Sequence, residues 1–204
     1  MTKIMFIKAS PRGQRSHSIA VAERFIAACR AADPKAVILE RDLFAMDLPT
    51  LDGPTLAGKY NIMHGRPFSE ADRKAWSAVE AVITDFKSAD KYVFAIPMWN
   101  FSLPYRLKHY MDIVAQPTYT FESTDQGYKG LVKARAFIAY ARGGDYPDGS
   151  PYNFQQDYMA FYLGFIGITD VQSVAVQPTL AGDGPRDASK ATAIEKALEI
   201  ARTF

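Results

Sequence analysis

Five short apolar runs, each separated from the next by a stretch of different period, constrain this chain more than any other feature. They are Ile4–Ile7, Ala36–Glu40, Lys91–Ile96, Ala134–Ala141 and Val171–Val176. Runs of this length, apolar nearly throughout, fit strands covered on both faces, as in parallel sheets. Between the first two, Ile19, Ala22, Ile26 and Cys29 share one helical face, with Glu23, Arg24 and Arg30 off it. Asp33-Pro34 closes that helix, because the residue before a proline is driven out of the α region. A strand, a loop, a helix and a strand at this spacing make a right-handed βαβ unit.

The alternation continues to the end of the chain. Ser69-Glu70-Ala71-Asp72 predicts an N-cap with acids in the first turn, opening a helix to about Phe86 that buries Trp76, Val79 and Ile83. Leu103–Ala115, Tyr152–Phe165 and Ala188–Arg202 read as further helices. Residues 47–68, punctuated by Pro49, Gly53, Pro54, Gly58, Gly65 and Pro67, show no period and read as a long irregular excursion. Residues 117–130, with Tyr119, Phe121 and Tyr128, read as a hairpin or lid. The expected architecture is α/β, a doubly wound parallel sheet of five strands between two helical layers, with residues 1–204 as one domain.

Composition narrows the partners. With 48% hydrophobic and 23% charged residues the chain is an ordinary globule, and its net charge of +2 gives no field that would argue for nucleic acid or a membrane surface. Cys29 is the single cysteine, which excludes an intrachain disulfide and a thiolate metal cluster. Only Ile4–Ile7 stands between Lys3 and Lys8, too short a run for a secretion signal, and no run approaches the ~18 apolar residues of a membrane span. The expected address is the cytoplasm.

Doubly wound sheets bind ligands outside the carboxyl ends of their strands, so the loops after the first, third and fourth runs carry the chemistry. The first is Ser10-Pro11-Arg12-Gly13-Gln14-Arg15-Ser16-His17-Ser18. It enters a helix N-terminus, where free N–H groups and the helix dipole attract an anion. Ser10, Ser16 and Ser18 add hydroxyls, and neither G-x-G-x-x-G nor G-x-x-x-x-G-K is present, so the loop suits a terminal monophosphate. Ser18 as a plain helix cap is the competing explanation. The second loop, Pro97-Met98-Trp99-Asn100-Phe101-Ser102-Leu103-Pro104, sets Trp99 and Phe101 as flat walls around Asn100, with Met98 beside them. Such a set suits the isoalloxazine ring of flavin mononucleotide (FMN), which needs apolar faces and polar edge contacts. The third, Ala141-Arg142-Gly143-Gly144-Asp145-Tyr146, has paired glycines that let backbone approach a ligand.

On SPRGQRSHS, PMWNFSLPYRLKHYMD, TFESTDQGYKGLV, the ARGG turn and LGFIGITDV, the chain resembles the FMN-dependent NADH azoreductases, also described as NADH:quinone oxidoreductases. The resemblance runs from the first strand to the fifth and implies a flavodoxin-like fold. It puts flavin contacts on Ser10, Ser16, His17, Ser18, Met98, Trp99, Asn100, Phe101, Ala141, Arg142, Gly143 and Gly144, and acceptor-pocket walls on Phe121 and Tyr162. Trp99 stands where many relatives carry Tyr, and Ala141 where many carry Ser; both changes bear on redox potential and acceptor preference. It further implies a ping-pong cycle in which NADH or NADPH reduces FMN, and quinones or azo compounds then take two electrons. The expected state is a homodimer with its sites at the interface. No side chain is nominated as an acid–base catalyst; His64 and His109 read as surface or packing residues, and Arg66 is a candidate for a 2′-phosphate. The rivals are a flavodoxin-type electron carrier, against which the balanced charge and the aromatic 117–130 segment speak, and a flavin-free module of the same fold.

Overall fold

The computed structural model describes residues 1–204. Its central sheet takes β1 (Lys3–Lys8), β2 (Val37–Asp42), β3 (Lys91–Pro97), β6 (Arg135–Ala141) and β7 (Asp170–Val176), all parallel, in the order β2-β1-β3-β6-β7. The strand order reverses between β1 and β3, so the crevice at the carboxyl edge opens there. The remaining strands, β4 (Phe121–Thr124) and β5 (Gly127–Gly130), form the antiparallel hairpin expected within 117–130.

Successive residues of each strand serve opposite layers, since side chains alternate across a sheet. Met5, Ile7, Tyr92, Phe94, Ile96, Ala136, Ile138 and Tyr140 join α3 (Glu70–Lys87), α4 (Tyr105–Val114) and α5 (Phe154–Ile166) in one core. Ile4, Phe6, Val93, Ala95, Phe137 and Ala139 join α1 (His17–Ala32) and α6 (Asp183–Ala201) in the other. Phe25 of α1 stacks on Phe137 of β6 at 3.8 Å between ring centroids. The three central strands β1, β3 and β6 are thus buried on both faces, which explains their unbroken apolar runs, whereas the edge strands are covered less: β2 is half-buried and β7 buries only Val174 and Val176.

Two elements depart from expectation. The 47–68 excursion contains a helix, α2 (Gly53–Met63), capped by Asp52, whose side chain accepts from the Thr55 N–H at 2.9 Å, with Pro54 in its first turn. Proline is harmless there because its missing N–H would be unpaired anyway. The last helix begins at Asp183, five residues before the expected start, again with a proline, Pro185, in the first turn. The Ser69 cap is as expected and is a full capping box: the Asp72 N–H donates to Ser69 Oγ, and the Ser69 N–H donates to Asp72.

Candidate functional site

Backbone bonds splice the three loops to one another beyond the ends of the strands. The Ala9 N–H donates to Ala95 O, Met98 N–H to Ala141 O, and Arg142 N–H to Val176 O, at 2.8–3.0 Å. A fourth loop, after β7, joins them through Thr179 N–H to Arg142 O and Leu180 N–H to Gly143 O. The site is therefore an extension of the sheet ladder, fixed without any ligand.

Between these loops lies a cavity of about 180 Å³ lined by Ser10, Arg12, Ser16, His17, Pro97, Met98, Trp99, Ala141, Gly143, Thr179 and Leu180. Seven of the residues expected from sequence meet there: Ser10, Ser16, His17, Met98, Trp99, Ala141 and Gly143. At its anionic end Ser16 caps α1, its Oγ accepting from the Ile19 N–H and lying 3.1 Å from Ser18 Oγ. Ser10, Ser16 and Ser18 are all buried, and the N–H groups of His17 and Ser18 take no partner within the chain. Two unpaired donors at a helix N-terminus, flanked by buried hydroxyls, are the donor set a phosphate needs. Burial, then the neighbouring cations Lys190, Arg12 and Arg186, hold His17 below its ordinary value.

The other end is shaped by a tight turn. Trp99 and Ser102 exchange both backbone hydrogen bonds at 3.0 Å, and the two residues between them, Asn100 and Phe101, have φ of 46° and 68°. A bulky residue in the left-handed region costs free energy, and such strain persists where the surroundings require it. Here it sends the two aromatics to different neighbours. Trp99 meets Phe44 and Tyr105 at 5.7 and 6.3 Å, while Phe101 meets Tyr146 and Tyr152 at 6.1 and 5.8 Å. The Asn100 carboxamide is exposed and takes no partner in the chain, so its donors and acceptor are open to a ligand's edge.

Other expected residues lie elsewhere. The Arg142 side chain turns away from the cavity, behind the loop, into a larger polar groove of about 470 Å³ along β7 and α6. That groove is not at the convergence of the loops, and its walls carry no flat apolar pair. The Tyr162 ring is packed in the core with its hydroxyl donating to Met111 O at 2.9 Å, so it does not line the loop cavity. Phe121 sits on the hairpin against Phe165 and Tyr128, at 4.5 and 5.9 Å. His64 is exposed beside Tyr60, and His109 Nε2 bonds Pro49 O at 2.9 Å, both in keeping with packing roles. Arg66 is exposed on the α2–α3 connection. Thr179 and Leu180 were not anticipated; only their position after the fifth strand could have flagged them, since neither residue type signals a site.

Known proteins agree with this geometry. A family model described as "Flavodoxin-like fold" matches residues 2–201. An FMN-dependent NADH:quinone oxidoreductase of Nitratidesulfovibrio vulgaris (strain DP4) is 49% identical over the whole of both chains. One from Desulfotalea psychrophila is 43% identical, covering 99% of this chain and 97% of the relative. The crystal structure of an FMN-dependent NADH-azoreductase from Bacillus anthracis in complex with FMN superposes with a TM-score of 0.90 at 27% identity, covering 100% of this chain and 99% of its own. Fold, loop geometry and full-length similarity together make this chain a member of the flavodoxin-like FMN-dependent NADH:quinone oxidoreductase family.

Proposed function

We infer that the chain is an FMN-dependent oxidoreductase that takes electrons from NADH and delivers them in pairs to quinones, with aromatic azo compounds as a second class of acceptor. The observation that carries this is the cavity joining a hydroxyl-lined anion loop to an aromatic turn at the carboxyl edge of β1, β3 and β6. Bound FMN supplies the redox chemistry, accepting hydride and releasing two electrons. The chain's own residues bind and orient. Ser16 and Ser18 hydroxyls, with the His17 and Ser18 N–H groups, hold the phosphate; Met98 and Trp99 wall the ring; Asn100 and the backbone from Ala141 to Gly144 address its polar edge. Phe101 lies outside the cavity lining, exposed beside Tyr152, where it can border the acceptor. The enzyme reading is favoured over an electron carrier by the names of the full-length relatives and by the balanced charge of +2.

A homodimer completes the reading. The cavity is smaller than the ~300–1,000 Å³ of typical cofactor sites. Phe101 and Tyr152 in one aromatic cluster, and Tyr128 and Phe161 in a second, are exposed aromatics that a second copy would cover. Phe121, in the hairpin cluster with Tyr128 and Phe165, would then wall the acceptor pocket. No helix is long and apolar enough to cross a membrane, and use of NADH suits work in the cytoplasm.

The test is reconstitution. Protein mixed with FMN should hold a flavin spectrum through gel filtration and oxidise NADH with a quinone in parallel-line, ping-pong kinetics. Ser16→Ala with Ser18→Ala should weaken FMN binding, each lost charge-assisted bond costing roughly 1.5–3 kcal/mol. A protein that binds no FMN at micromolar concentration would overturn the reading. Running the same assay with NADPH, and with Arg66→Ala, decides the nicotinamide preference.

A further inference from the structure

Arg142 is the most deeply buried cation in the chain, at 2% exposure, and it has no carboxylate partner among the ion pairs. Its guanidinium is held by neutral acceptors instead. Nε donates to Gln155 Oε1 at 3.0 Å, Nη1 to Tyr146 O at 2.9 Å and Gln177 Oε1 at 3.0 Å, and Nη2 to Gln156 Oε1 at 2.8 Å. A buried charge is ordinarily paired with an opposite charge; here three glutamines and a carbonyl take four of the five N–H donors and leave the charge whole. The carboxylates of Asp148, Asp145 and Asp157 act on it only from longer range. Its own backbone belongs to the site. Arg142 stands between Ala141 and Gly143, both lining the cavity, and is clamped by Val176 O and the Thr179 N–H.

We propose that the Arg142 guanidinium is a fixed positive charge that stabilises the reduced cofactor relative to the oxidised one, and so sets the potential of bound FMN. The inference rests on FMN occupying the adjoining cavity. Transfer of a hydride, two electrons and one proton, from NADH leaves NAD⁺ and adds one negative charge to the flavin. A cation held by four hydrogen bonds behind the loop and largely buried acts on that added charge with less screening than a solvated one and needs little reorganisation. Arg142 is thus a positioning and tuning residue that touches neither flavin nor acceptor through its side chain. Glutamines in place of glutamates at positions 155, 156 and 177 are what keep its charge available.

The experiment is a potentiometric titration of FMN-loaded protein against a reference dye. Arg142→Met should lower the potential by an amount equal to at least a tenfold loss in the preference for reduced over oxidised FMN, about 30 mV for a two-electron couple. Arg142→Lys, which keeps the charge and loses the fork, should retain most of the wild-type potential. Should the Met variant fail to fold, Gln156→Glu serves: it keeps the bond to Nη2 while pairing the charge, and should lower the potential in the same direction. Equal shifts in the Lys and Met variants would make Arg142 a structural tie only and overturn the proposal. An unchanged potential in Gln156→Glu would do the same. A wild-type protein that binds no FMN would instead sink the cofactor reading beneath it, an outcome visible before any potential is measured.

Discussion

At the scale of single residues, the turn at 99–102 concentrates cost and purpose. Phe101 at φ 68° is a bulky side chain in a region that favours glycine, and Asn100 at 46° is a residue type that tolerates it. Because either truncation loses the contacts with Tyr146 and Tyr152, the strain shows in their difference: FMN-free Phe101→Gly should melt about 2–4 °C above Phe101→Ala, the equivalent of ~1 kcal/mol in a chain of this size. Asn100→Gly should change the midpoint less. The same Phe101→Gly variant should bind quinones more weakly, read as a raised KM, because the turn has lost an aromatic edge. A Gly variant no more stable than Phe101→Ala would contradict the strain argument. Neither the turn's conformation nor the direction of Arg142 could be read from residue types. Trp-Asn-Phe after a buried strand marks a flat-ligand wall, but not that two left-handed residues part its aromatics. A lone Arg beside paired glycines gives no sign of which side of the loop it takes.

At the scale of elements, the strands were legible and the irregular segments only partly so. Apolar runs buried on both faces leave one interpretation for β1, β3 and β6, and the shorter apolar runs of the edge strands β2 and β7 follow from the alternation, so all five sheet strands fall where expected, within a residue or two. The helix over Gly53–Met63 escaped because Gly53, Pro54 and Gly58 mask its period and because it buries Thr55, Gly58 and Lys59 while Leu56, Tyr60 and Met63 stay exposed, so no apolar stripe marks its inner face. The hairpin was visible, but what seats it was not. Gly130 of β5 lies so close to the end of α5 that a Cβ on it would fall 2.1 Å from the Gly167 N and 2.4 Å from its Cα. Gly167, at φ 106°, in turn closes α5 in the left-handed conformation. Gly130→Ala must push the hairpin from the helix, with an expected loss of about 1–3 kcal/mol in urea unfolding. Because Phe121 rides on that hairpin, acceptor KM should change while FMN affinity holds. An unperturbed melt would show that the hairpin slides freely.

For the whole molecule, one face is aromatic and the interior holds its acids neutral. Phe121, Tyr128, Phe161 and Phe165 form a continuous cluster between hairpin and α5, with Phe161 and Tyr128 each 70% exposed. If this surface is the dimer contact, Phe161→Glu should yield monomers by sedimentation, with weakened FMN retention; a dimer of undiminished stability would place the contact elsewhere. In the interior, burial pushes the Cys29 thiol up to about 11 from 9.0 and raises Tyr92, Tyr110, Tyr140 and Tyr162 above their ordinary 10.0. These groups ionise in the unfolded chain before they ionise in the folded one. The unfolded state therefore binds fewer protons above about pH 9, and stability must fall as pH rises from there. The urea midpoint at pH 10.5 should lie well below that at pH 8; equal midpoints would refute it. The 99–102 turn bears on how such an enzyme diversifies. Its backbone is closed by its own two hydrogen bonds, and its two aromatics answer to separate sets of neighbours, Phe44 with Tyr105 and Tyr146 with Tyr152. Substitutions can therefore rework the neighbours of one aromatic without disturbing those of the other, so the two ends of this turn are free to diverge separately.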